Sequence, residues 1–251
     1  MTPLSQDAPG RWIYVSPHFD DAVYSCGGAI REQARRGEAV EVWTVCAGDP
    51  PPGSLSDQAK RIHDEWGTGS AAETVALRRL EDQKALGIVG AGGRSFDVPD
   101  CIYRRSPAGE TLYPDGLTGG RHPAEAGLEG EIASALSQQL TAQDVLVCPL
   151  AVGSHVDHVL TRAAVERLGR PLRYYAEVPY LFNDPVALSA ATRGMRADLH
   201  PIPEESLDAW LAGIAAYASQ IGVQFKSEAR MRTVMREYWA RQHGIQLWSP
   251  A

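Results

Sequence analysis

No Cys-x-x-Cys pair occurs in this sequence: Cys26, Cys46, Cys101 and Cys148 stand far apart. That spacing excludes a zinc ribbon, and three of the four lie in apolar stretches where a reduced thiol packs as a small hydrophobe. No apolar run reaches the length of a membrane span. The opening residues, MTPLSQDAPG, lack the basic-then-apolar order of a signal peptide. Together with unpaired cysteines, this makes the cytoplasm the expected compartment. A basic tract is also missing. Lys and Arg total 24 against 31 Asp and Glu, and the charges are interspersed to a net −7. Such a chain has no surface for tracking phosphates, so nucleic acid is not an expected partner. There is no internal repeat, low-complexity tract or linker, and 251 residues at 44% hydrophobic content suffice for one sizeable core. The expectation is a single domain over 1–251, free to self-associate.

Apolar patterning predicts an α/β chain. RWIYVS (11–16) reads as a buried strand, and AVYSCGGAIREQARRG as a helix stopped at Gly37. EAVEVWTVCAG (38–48) is a second strand, so the opening is the βαβ unit of a parallel sheet. Prolines make 49–57 a loop, and Gly67 and Gly69 break a short helical stretch over 58–73. A helix follows from Glu73 to about Gly90, then a short strand in SFDVPD (95–100) and a polar surface loop over 104–121. Beyond it come a helix (123–141), a strong strand DVLVCPLAVG (144–153), a helix (157–169) and a strand LRYYAEVPY (172–180). Helical segments near 205–221 and 226–243 close the chain. The whole is expected to form a Rossmann-like, mostly parallel sheet flanked by helices.

Two strand ends carry unusual residues. PHFDD (17–21) follows the first strand, and SHVDH (154–158) follows DVLVCPL. Ligands collect outside the carboxyl ends of parallel strands, so both turns belong to one edge of the sheet. Imidazole and carboxylate are good ligands for zinc, which in catalytic sites takes three protein ligands and keeps one position open. Asp20 and Asp21 point in different directions, so one can bind metal while its neighbour faces solvent on the metal. An Asp after a strand is also the ordinary N-cap of the next helix, and a lone histidine is more often structural. Two His-x-Asp turns at one edge favour a metal site. Gly27 and Gly28 lack the G-x-G-x-x-G order, and two carboxylates where a pyrophosphate would sit exclude a dinucleotide cofactor. The two glycines are expected to allow close helix–sheet packing.

PHFDD followed by CGG, SHVDH after a central strand, and RRLED (78–82) between them resemble the PIG-L/LmbE-like zinc-dependent N-deacetylases. The resemblance implies hydrolysis of an acetamide on a small-molecule N-acetylated amino sugar or its conjugate, with one zinc ion or another divalent metal per chain. By position, His18, Asp21 and His158 would bind the metal, and Asp20 would be the base that activates its water. His155 would protonate the leaving amine or stabilise the tetrahedral intermediate, and Asp157 would orient a histidine. Arg78 would position a substrate hydroxyl or anionic group; an Arg78–Glu81 pair along one helix is the structural alternative.

The chain departs from the family pattern at Phe19, where proline is usual, and at Gly153, where some members place a tyrosine that assists the oxyanion. Tyr103, delivered by a loop, could replace that tyrosine or bind sugar, and Trp66 and Tyr113 could stack on a sugar face. Rival readings are an amidase of a larger acyl group or thiol conjugate, and a metal- or sugar-binding protein without catalysis.

Overall fold

The computed structural model describes residues 10–251, so the N-terminal reading over the first nine lies outside the described residues. The first half runs β1 (Trp12–Ser16), α1 (Asp21–Arg35), β2 (Val40–Thr44), α2 (Asp57–Trp66), α3 (Ala71–Val89), β3 (Gly92–Ser95), α4 (Leu128–Ser137), β4 (Val145–Pro149) and α5 (Val156–Glu166). The second half runs β5 (Leu172–Tyr175), α6 (Tyr180–Asn183), α7 (Pro185–Ala191), β6 (Met195–Pro201), α8 (Glu204–Ala215), α9 (Ala218–Phe225), α10 (Glu228–Ala240) and β7 (Gly244–Pro250). The strands form one sheet in the order β3-β2-β1-β4-β5-β7-β6. The first five are parallel, and β7 is antiparallel to both its neighbours. This is the expected α/β, Rossmann-like architecture.

Strand alternation divides the core. Tyr14, Val42, Val147 and Tyr175 face a layer containing α1, α3 and α8, while Ile13, Val15, Trp43, Leu146 and Cys148 face α4 and α5. Successive side chains of a strand point to opposite faces, and helices cover both, so the central strands are apolar throughout. A third cluster joins Ile62, Val75, Ile102, Leu112 and Val156 beside the carboxyl edge, linking α2 to the segment after β3.

Several elements differ from the sequence reading. β3 lies at Gly92–Ser95 and shares only Ser95 with SFDVPD; it is exposed and opens with two glycines, so it carries little strand signal. The 58–73 stretch is a regular helix, α2, capped by the Ser56 hydroxyl and ended at Gly67 with φ +65°. α3 then starts in a Ser70–Glu73 capping box. The 205–221 segment is two helices, α8 and α9. β6 and β7 were not foreseen: β6 is largely exposed at the sheet edge, and its pairing with β7 joins residues some 50 positions apart, from Met195↔Pro250 to Pro201↔Gly244. The far end of the 104–121 loop is pinned, since Val156 N–H donates to Leu117 O at 2.9 Å.

Gly27 and Gly28 admit a helix, not the sheet. A Cβ on Gly28 would lie 2.7 Å from Ile202 Cδ1 and 2.9 Å from Trp210 Cε3. Trp210 is fully buried there, and its indole N–H donates to Val23 O at 2.8 Å. Alanine gains about 1 kcal/mol of helix propensity, but overpacking a closed core costs about 1–3 kcal/mol. Gly28→Ala is therefore expected to lower the urea unfolding free energy by about 1 kcal/mol; equal or higher stability would show that α8 yields at this contact.

A candidate metal centre at the carboxyl edge of the sheet

From β1 the chain builds the sheet one way through β2 and β3, then returns to place β4 on the other side. The carboxyl ends of β1 and β4 are thus neighbours at a topological switch point, where open α/β sheets bind ligands. His18, Asp20 and Asp21 occupy the turn into α1. The turn into α5 is contorted: Ala151, Gly153 and Ser154 have φ of 58°, 86° and 56°. Left-handed backbone at the two non-glycine positions is uncommon and concentrates at functional sites.

The two turns meet on one oxygen. Asp21 Oδ2 lies 3.2 Å from His18 Nδ1 and 3.3 Å from His158 Nε2, and it accepts the His18 backbone N–H at 2.9 Å. Each imidazole is held from its far side. His18 Nε2 is 3.0 Å from Asp157 Oδ2, and His158 Nδ1 is 3.1 Å from Glu177 Oε1. Both carboxylates are fully buried. With the outer nitrogens bonded to carboxylates, the inner nitrogens face Asp21, where each can present a lone pair to a cation that displaces its proton. His158 Nε2 is a buried polar atom without a hydrogen-bond partner. An orphaned imidazole nitrogen facing a second imidazole and a carboxylate fits a divalent cation.

His155 is the other nearby imidazole; ring nitrogens of His18, His155 and His158 all lie within 4.8 Å of one another. It caps α5: Asp157 N–H donates to His155 Nδ1 at 3.3 Å. In the neutral ring that bond leaves the proton on Nε2, making it a donor. Burial, and then the charges of His18 and His158, lower the His155 pKa to about 3. Asp157 is already engaged. Cys101 N–H donates to its Oδ2 at 3.0 Å, and Arg104 Nη2 stands 2.5 Å from Oδ1 in an ion contact. Against burial, which opposes ionisation, Arg104 and His18 hold Asp157 well below the usual carboxylate range. Burial likewise opposes ionisation of Asp21, yet His158 and His18 keep it well below that range.

Asp20 stands at the N-cap position of α1, yet its side chain makes no capping hydrogen bond. The ordinary structural role of an Asp after a strand is therefore unfilled. Its Oδ1 lies 3.5 Å from Arg78 Nη2, and Arg78 Nη1 lies 3.4 Å from Asp100 Oδ2. Burial raises the Asp20 pKa, Arg78 opposes this, and Asp21 adds to it. Arg78 does not pair with Glu81, which instead accepts from Ser219 at 2.7 Å. Phe19 is buried in the core beneath Arg78, whose guanidinium carbon is 5.8 Å from the ring centroid.

A cavity of about 200 Å³ opens over this centre, lined by His18, Asp20, Arg78, Asp100, His155 and Tyr180 among others. A larger groove, about 700 Å³ along α3 and β3, gathers no comparable donors. Of the residues anticipated from sequence, Tyr103 is not brought to the cavity; its hydroxyl is 2.7 Å from His63 Nε2. Tyr113 instead donates to Glu125 at 2.7 Å. Trp66 lines the cavity, but Arg78 already lies over its ring at 4.7 Å. Sequence reasoning missed Asp100, Arg104, Glu177 and Tyr180. Glu177 had a signal: a lone carboxylate just past a buried apolar strand, as in PHFDD.

A doubly wound sheet with a His/Asp centre at its switch point defines a Rossmann-like protein with the donor set of a metallohydrolase. The chain belongs to the PIG-L family, described as GlcNAc-PI de-N-acetylase, whose pattern matches residues 13–168. It is similar to a 2'-N-acetylparomamine deacetylase of Streptomyces fradiae, 33% identical over 177 residues. That match spans 68% of this chain but only 58% of the relative's length. A 2'-N-acetylparomamine deacetylase of Niallia circulans is 30% identical over 195 residues, 67% of each chain. Among solved structures, the zinc-inhibited form of teicoplanin deacetylase Orf2 matches with a TM-score of 0.80 at 27% identity, covering 95% of this chain and 97% of that one. N,N'-diacetylchitobiose deacetylase of Pyrococcus horikoshii shares the fold, with a TM-score of 0.58 at 16% identity over 94% and 82% of the two chains.

Two measurements follow from the centre. Although burial lowers it, Asp21 and Glu177 raise the His158 pKa to about 9, and His18 is likewise raised. A cation must displace these protons, so apparent zinc affinity is expected to rise between pH 6 and 8, about tenfold per unit for each proton released. A flat profile in zinc titrations would mean that these imidazoles are not ligands. Glu177→Gln, which preserves volume, is expected to weaken zinc binding about 10–100-fold, measured with a competing chelator; unchanged affinity would refute its orienting role.

Proposed function

We propose that this chain is a metal-dependent de-N-acetylase, one domain over 1–251, that removes an acetyl group from an amino sugar or its conjugate. The observation that carries this reading is the convergence of His18 Nδ1 and His158 Nε2 on Asp21 Oδ2, beside an Asp20 free of capping. His18, Asp21 and His158 would hold one cation, and zinc suits their mixed imidazole–carboxylate chemistry. When bound, the metal polarises a carbonyl oxygen and lowers the pKa of water.

The chain's own residues supply the proton transfers. Asp20 takes the proton from the attacking water. Arg78, 3.5 Å away, favours its ionised form, while burial and Asp21 make the carboxyl basic enough to accept. His155, whose protonation is disfavoured by burial and by the positive charge beside it, offers Nε2–H to the developing oxyanion instead of serving as an acid. The proton held by Asp20 then passes to the departing nitrogen. Asp157 fixes the His18 ring, and Arg78 with Asp100 borders the substrate.

The relatives' names point to amino sugars of aminoglycosides and glycopeptides, and that is the substrate class we assign. The cavity over the centre is small, about 200 Å³, and is rimmed mostly by charged and polar side chains. That suits an acetamido group and part of a ring better than a long acyl chain. No described helix is long and apolar enough to cross a membrane. The cysteines are free and buried, in keeping with a cytoplasmic enzyme.

The test is acetate release from a panel containing 2'-N-acetylparomamine, an N-acetylglucosaminyl glycopeptide and N-acetylglucosamine. Turnover is expected to vanish with chelator and return with zinc. Asp20→Asn should keep its zinc and lose at least about 10²-fold in kcat. Full turnover without metal, or in that variant, would overturn the mechanism. Release of longer acyl groups only would favour the amidase.

A further inference from the structure

Attack on an amide places negative charge on the carbonyl oxygen, and donors aimed at that oxygen contribute much of the rate. Of the cavity-lining side chains, Arg78 is committed to Asp20 and Asp100, and Gln220 donates to Ser219 at 3.0 Å. Tyr180 differs. It begins α6, directly after the β5 end that carries Glu177, so one turn both holds His158 and flanks it. The Tyr180 ring meets the His158 ring edge-on, with centroids 5.3 Å apart. Its hydroxyl makes no hydrogen bond to any described residue, although the side chain lines the cavity.

The seat of this ring is built. Gly153, in the turn after β4, has φ +86°, and a Cβ there would lie 2.5 Å from Tyr180 Cδ1 and 3.1 Å from Cγ. The ring therefore rests on bare backbone that any other residue would fill. A phenol, with an ordinary pKa of about 10, keeps its proton at neutral pH and can donate it in a hydrogen bond.

We propose that Tyr180 is a catalytic residue, its hydroxyl donating, together with His155 Nε2–H, to the oxygen that becomes anionic when the amide is attacked. The assignment rests on the deacetylase reading for its substrate but not for its geometry. Gly153 is the position that makes room for the ring.

The test compares Tyr180→Phe with the native chain, both loaded with zinc. The probe is methylphosphonate, a tetrahedral anion the size of an acetyl group after water has added. Calorimetry is expected to show affinity at least about tenfold weaker in Tyr180→Phe, the loss of one hydrogen bond to a charged group. Zinc content and unfolding midpoint should be unchanged. On an acetylated amino sugar, kcat should fall about 10²–10³-fold with KM nearly constant. Equal methylphosphonate affinity in the two proteins overturns the proposal, whatever the turnover. If the native chain releases no acetate from any sugar while the affinity difference persists, the deacetylase reading fails and the donor role of Tyr180 stands.

Discussion

Asp21 Oδ2 is shared between two buried histidines that lie 140 residues apart in the chain. Removing charge and imidazole from water is costly unless every group is paired, and here the pairing reaches outward in layers. His18 leans on Asp157, which leans on Arg104 and the Cys101 amide; His158 leans on Glu177, which also accepts from the Val152 amide at 3.2 Å. Each layer comes from a different connection of the sheet. The centre is therefore rigid only if β1, β4 and β5 are in register, and their parallel pairing supplies that register.

The outer carboxylates also divide the imidazoles by role. A histidine bonded to a carboxylate on one side presents a lone pair on the other; a histidine that accepts a backbone N–H presents a proton instead. Once a cation takes the place of the protons they share with Asp21, His18 and His158 belong to the first kind; His155 belongs to the second. Three histidines of similar burial thus acquire opposite chemical characters from their hydrogen-bond partners alone. The two aspartates of the first motif divide likewise. Asp21 is drawn into the imidazole pair, while Asp20 stays unbonded except for the charge contact with Arg78.

Much of this was legible in the sequence, for a physical reason. Central strands buried on both faces must be apolar throughout, so β1, β2, β4 and β5 stood out, and charged residues just past their ends were conspicuous because nothing in a core explains them. His18, Asp20, Asp21, His155, Asp157 and His158 were all found this way, and the structure brings them together. Tyr103 was chosen for being an aromatic in a loop on the right edge, and its hydroxyl bonds to His63 instead. Loop aromatics carry no periodic signal, so their direction cannot be read from spacing. β3 and β6 escaped because edge strands need little apolar surface, and β7 escaped because it pairs with β6 across three helices.

The sequence by itself determined the parallel core and the two His-x-Asp turns at one edge, since local patterning dictates which segments are buried strands and where they end. Tertiary structure alone decided which nitrogen of each histidine faces inward, that Asp20 goes without a cap, that Arg78 reaches Asp20 and Asp100 instead of Glu81, and that Tyr180 rests on Gly153. Those outcomes depend on contacts between residues far apart in the chain. Such contacts form only once the sheet has placed the strand ends side by side.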